Sequence, residues 1–83
     1  MIKSWFYRDF KPYAEKVGVK LLRDDFKFIE RTICNLPEGT QREACRRYIE
    51  EWKLGMARNA PRNQNSGRYR ANNYLQDFTG RIR

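Results

Sequence analysis

The stretch from Thr40 to Arg58, TQREACRRYIEEWKLGMAR, constrains the chain more than any other segment. On a wheel at about 100° per residue, Ala44, Cys45, Tyr48, Ile49, Trp52 and Met56 fall within roughly 140° of arc, the width of a core-facing stripe. A helix with such a face must bury it, so the rest of the chain has to supply what covers it. Thr40 followed by Glu43 has the form of a capping box, which predicts a helix over residues 40–58 that starts at Thr40. Arg42, Arg46 and Lys53 line one flank of the stripe, while Glu43, Arg47, Glu50, Glu51 and Arg58 mix signs on the far side. That pattern fits a solvated helix back, and it also fits a basic stripe that contacts phosphate or an acidic partner.

Three further segments are able to cover the stripe. Ile2, Phe6, Phe10, Tyr13 and Val17, with Trp5 beside them, form one face of a helix over residues 3–17. Pro12 removes a hydrogen bond there and crowds the preceding turn, so the helix is expected to kink or split near Asp9 to Lys11, with Gly18 as its stop. The dense aromatics of SWFYRDF read as core at this spacing, although rings in such numbers also suit base stacking. Phe26, Ile29, Ile33 and Leu36, preceded by Leu22, mark a second helix over residues 24–36 that Asp24 or Asp25 is placed to cap. Phe28 falls off its face. The Leu36-Pro37-Glu38-Gly39 link is short enough to make its neighbours antiparallel. NAPRNQNSG, residues 59–67, has no apolar period and reads as a loop over residues 59–65. Ser66 then caps a last helix over residues 66–79, with Ala71, Tyr74, Leu75, Phe78 and Ile82 as its stripe and Gly80 as its terminator. The expected fold is a small all-α domain of three or four antiparallel helices, a single domain in 83 residues. A core this small leaves marginal stability, and a homodimer or another partner is one way of completing it.

Charge is distributed unevenly. Residues 1–41 carry eight basic and six acidic side chains, a net +2, whereas residues 42–83 carry ten and four, a net +6. Nine of the ten basic residues in the second half are arginines, which make planar bidentate contacts to phosphate or carboxylate that lysine cannot. A pI near 9.9 suits a polyanion partner and equally suits docking onto an acidic protein surface.

Several classes of function find no support. The chain has no His, two Ser and no glycine-rich phosphate cradle, and no carboxylate pair stands in an apolar setting, so an enzyme is not expected. No cofactor is implied, and two cysteines without histidine cannot furnish an ordinary zinc site. No apolar run approaches the roughly 20 residues of a membrane span, and the N-terminus lacks a hydrophobic region followed by small residues at a cleavage site, so a cytoplasmic protein with no membrane partner is expected. Cys34 and Cys45 are then reduced thiols packed as small apolar groups, although their position beside a turn would allow a bridge. The usual helix-turn-helix, zinc-finger and basic-zipper patterns are missing as well.

The outer side of the last helix is unusual. Tyr69, Asn72, Asn73 and Gln76 cluster there as an uncharged, hydrogen-bonding surface, where a solvated helix more often carries Lys and Glu. Asn also costs several tenths of a kcal/mol in a helix relative to Ala. With Arg58, Arg62, Arg68 and Arg70 nearby, the segment gathers the side chains that contact phosphates and base edges, and protein interfaces use Tyr and Arg just as readily. REACRRYIEEWKLG, a polar loop and NQNSGRYRANNYL together resemble small accessory proteins of lambdoid bacteriophages and prophages, over residues 42–75. Within that class they are similar to the anti-RecBCD accessory proteins. The resemblance implies a protein that binds a host enzyme of DNA metabolism or inhibits a host nuclease rather than performing chemistry, and it assigns roles to no individual residue. The residues alone leave open a direct DNA- or RNA-binding regulator.

Overall fold

The computed structural model describes residues 5–57 and 64–81. A π-helical turn at Phe6–Phe10 leads into α1 (Lys11–Lys16), followed by α2 (Arg23–Ile33), α3 (Glu38–Ala57) and α4 (Gln64–Arg81). No strand occurs among the described residues, and the domain is all-α. Ile2, Ile82, Arg58, Arg62 and most of the expected loop lie outside the described residues.

α3 is the centre. Every residue of its expected stripe is buried, from 0% exposed at Ala44, Tyr48, Ile49 and Trp52 to 8% at Met56. Burying a side chain of this size stabilises the fold by about 1.5–3 kcal/mol relative to leaving it in water. α4 lies antiparallel along it. Trp52 meets Gly67 and Arg68, Glu51 meets Arg70, Tyr48 meets Asn72 and Arg47 meets Tyr74, so positions fall along α3 as they rise along α4. Near their junction the backbones almost touch. A Cβ on Gly67 would lie 2.5 Å from Trp52 Cδ1, and one on Gly55 would lie 2.8 Å from Gly67 Cα, so glycine is required on both helices.

The start of α3 differs from the expected one. The helix begins at Glu38, and Thr40 sits inside its first turn rather than capping it. The first helical bond runs from the Gln41 N–H to the Pro37 carbonyl at 2.9 Å. Gln41 is 6% exposed, and its side-chain amide donates to the carbonyls of Ile33 at 3.1 Å and Cys34 at 3.4 Å. Ile33 is the last residue of α2 and Cys34 its C-cap, and their carbonyls have no intrahelical donor; the Ile33 carbonyl also accepts the Leu36 N–H at 2.9 Å. The contact that fixes this corner is therefore tertiary, and a local capping signature could not reveal it.

At Pro12, where a kink or a split is expected, the structure has a widened π turn that runs directly into α1. Pro12 has no N–H to offer the Arg8 carbonyl, and the preceding segment opens so that the Lys11 N–H bonds Phe6 O instead. The wider turn carries the apolar face later in sequence. Trp5, Phe6, Phe10 and Ala14 are buried, whereas Tyr13, expected on that face, is 40% exposed. Gly18 ends α1 as expected: its φ is 85°, Val19 N–H bonds Ala14 O at 3.0 Å, and Gly18 N–H bonds Glu15 O at 3.1 Å, the two bonds of a Schellman cap. α2 buries Phe26, Ile29 and Ile33, with Phe28 half-buried. Leu22, expected on the same face, is 60% exposed because it occupies the extended N-cap position, where its N–H is held by the Asp25 carboxylate at 2.8 Å. α4 starts at Gln64 rather than Ser66 and runs through Gly80, which therefore does not terminate it. Cys34 and Cys45 are both free thiols.

Candidate interaction surface

Three elements meet at Gln64. Its Oε1 accepts the Trp52 indole N–H at 2.8 Å and the Lys20 backbone N–H at 3.1 Å, while its Nε2 donates to the Gly18 carbonyl at 3.2 Å. A polar residue at the start of α4 thus ties the end of α1 to the core tryptophan of α3. Nothing in its sequence context singles Gln64 out, because the signal is a set of partners brought together only by folding.

One turn further on, Arg68 belongs to the fold. Its Nε reaches both oxygens of Asp25 at 2.9 and 3.1 Å, its Nη1 reaches Asn65 Oδ1 at 2.6 Å, and its guanidinium lies 5.0 Å from the Trp52 ring centroid. The Asp25 carboxylate is 8% exposed and so is satisfied jointly by Arg68 and the Leu22 N–H. Asn72 is likewise turned inward, where its Oδ1 accepts the Tyr48 hydroxyl at 2.6 Å. Burial holds that phenol well above its ordinary value of 10.0, with Asp25 adding to the effect. Arg68 and Asn72, read from the sequence as contact residues, have side chains committed to internal partners.

The other cations of the expected surface are also largely committed. Arg70 pairs with Glu51 at 2.9 Å, with side-chain exposures of 34% and 19%. Arg42 pairs with Glu38 at 3.3 Å and lies 4.8 Å over the Trp5 ring. Arg46 bridges Glu43 and Glu50 along the exposed back of α3, and it holds the Glu43 carboxyl below its usual range. Such exposed pairs are screened by water and weak, so Arg42 and Arg46 are open to exchange with an outside anion, whereas Arg68 is not. Lys53 is exposed at the lip of a cavity of about 220 Å³ with Val17, Met56 and Ala57.

What stays free on α4 is a narrow strip. Tyr69 is 72% exposed, the most exposed large side chain among the described apolar and aromatic residues, and Asn73 and Gln76 are exposed beside it. Their spacing of four and three places them on one face of the helix, opposite buried Ala71 and Leu75. Among the described residues no helix is long and apolar enough to cross a membrane, and no three Cys, Asp or Glu side chains are grouped to hold a metal ion.

Comparison of the chain with protein-family models, curated proteins and solved structures finds no match in any of the three.

Proposed function

We propose that this protein acts by binding, as a small phage-type accessory protein that docks on a host DNA-processing enzyme or its nucleic-acid complex and modulates it. The observation that carries the reading is the outer strip of α4. Tyr69 is held in water at 72% exposure beside Asn73 and Gln76, with exposed Asp77 at one edge, on a helix where Arg68, Arg70 and Asn72 turn to partners within the fold. An exposed tyrosine flanked by uncharged hydrogen-bonding side chains serves no purpose in the core and has the composition of a protein-binding hot spot. Direct binding to DNA or RNA is the weaker reading, since Arg68 and Arg70 would have to leave buried or half-buried carboxylates to reach a phosphate, which leaves Arg42 and Arg46 as the exchangeable cations of that surface.

The test is affinity capture from bacterial lysate by the full chain, with and without nuclease treatment and with the captured protein identified by mass spectrometry. A DNA-processing enzyme retained after nuclease treatment, and lost with Tyr69→Ala, is the expected result. Retention that vanishes on nuclease treatment, with a salt slope near 0.9 per phosphate contact on duplex DNA, would replace it with the nucleic-acid reading.

A further inference from the structure

The N-terminal half, nearly neutral in sequence, holds a group of cations with no ion pair among the described residues. Two cavities of about 390 and 530 Å³ share Lys11, Leu21 and Phe26 in their linings and so lie side by side, as a two-part trough, at the end of α1 and the start of α2. Lys20 extends the first cavity, and Arg23 and Lys27, one turn apart on α2, extend the second. All four cations are exposed, and none is within ion-pair distance of a carboxylate among the described residues. Glu15 is the carboxylate in the lining; Glu30, nearby, is occupied by the Tyr7 hydroxyl at 3.1 Å. The floor is apolar, made by Ala14, Val19, Leu21 and Phe26.

We propose that this trough binds an acidic segment of a partner protein in which carboxylates alternate with bulky apolar side chains. Carboxylates spaced along such a segment match Lys11, Lys20, Arg23 and Lys27, while its apolar side chains enter the two cavities. Ammonium groups on flexible stems suit single carboxylates, and those stems extend the apolar wall. A nucleic-acid strand needs open ring faces for its bases. Phe26 offers none, being 8% exposed, edge to face with Phe6 and Phe10 at 6.0 and 6.2 Å and covered by Lys11; Tyr7, 46% exposed at the second cavity, is the one ring of the lining open to water, and its hydroxyl is held by Glu30 and its ring lies against Phe6 and Phe26. This surface is separate from the α4 strip, so either can fail without the other.

The probe is a short fluorescein-labelled peptide alternating aspartate with leucine and phenylalanine, titrated with the full chain and followed by anisotropy. Lys20→Glu with Lys27→Glu should weaken binding by about tenfold or more, since two attractions become repulsions. Lys16→Glu with Arg47→Glu, exposed positions that line neither cavity, should leave it within about twofold. Serine in place of the leucines and phenylalanines should abolish binding, and Tyr69→Ala should not affect it. An equal loss with the control pair, or undiminished binding of the serine peptide, would reduce the trough to net charge and overturn the proposal. Tighter binding of labelled oligothymidine that is lost with the Lys20, Lys27 pair would assign the trough to nucleic acid instead.

Discussion

Arg68→Ala separates a residue of the fold from a residue of the surface. The substitution leaves the Asp25 carboxylate, 8% exposed, with the Leu22 N–H as its remaining hydrogen bond, and it uncovers the Trp52 face that the guanidinium approaches at 5.0 Å. Removing one partner of a fully buried pair costs about 3–5 kcal/mol. Arg68 itself is 22% exposed, and water entering its place solvates part of the stranded charge, so about 2–3 kcal/mol is expected. In a domain of this size 1 kcal/mol shifts Tm by about 4–8 °C, so the helical circular-dichroism melt should fall by roughly 10–20 °C. Asp25→Ala should cost a similar amount, and the double variant much less than the sum, because each single change already breaks the pair. A Tm for Arg68→Ala within about 3 °C of wild type, or additive losses in the cycle, would refute the internal role and return Arg68 to the surface available for binding.

Other consequences follow from the packing and the titration. Gly67→Ala places a methyl 2.5 Å from Trp52 Cδ1 and 2.7 Å from Trp52 O, so it should lower stability by about 1–3 kcal/mol, whereas Gly39→Ala, with nothing within 4 Å, should be neutral or slightly stabilising in the same melt. Gln64→Ala strands the Trp52 indole N–H and should cost about 1–3 kcal/mol; Gln64→Glu keeps that acceptor, loses only the donor to Gly18 and should cost less. Burial pushes the Cys45 thiol from 9.0 up to about 12, and the Tyr48 phenol is also raised above its ordinary 10.0. Both stay protonated in the fold while the unfolded chain ionises, so stability should be constant below about pH 9 and fall through the alkaline range by about 1.4 kcal/mol per pH unit per ionised group. Denaturant titrations from pH 7 to 11 check this, and Cys45→Ala should flatten the decline that begins near pH 9.

Much of this architecture was legible because its signals are local. The α3 stripe, the α2 face, the stop at Gly18 and the disturbance at Pro12 each depend on spacing or on one residue's backbone chemistry, and each is found where the sequence places it. Signals that depend on a distant partner were not legible. Thr40 has the form of a cap, yet α3 starts at Glu38, and Gln41 in its first turn reaches the end of α2. Tyr13 and Leu22 match an apolar period but face water, one displaced by the π turn and the other held extended at a helix entry. On the surface, counting charges by half of the chain pointed to the C-terminal arginines. Folding pairs several of those with glutamate or aspartate and leaves Lys11, Lys20, Arg23 and Lys27 without a carboxylate partner among the described residues, a redistribution that composition cannot carry. The polar face of α4 divided in the same way: Asn72 and Asn73 are adjacent in sequence, and a rotation of about 100° sends one to Tyr48 and the other to water.

The most direct measurement compares wild type with the Tyr69→Ala, Asn73→Ala, Gln76→Ala triple variant, taking thermal melts and partner capture on the same preparations. These side chains lie outside the core, so the melt should stay within about 0.5 kcal/mol per substitution of wild type while capture of the DNA-processing partner is lost. Undiminished capture by a variant that melts normally would contradict the assignment of binding to the outer strip of α4.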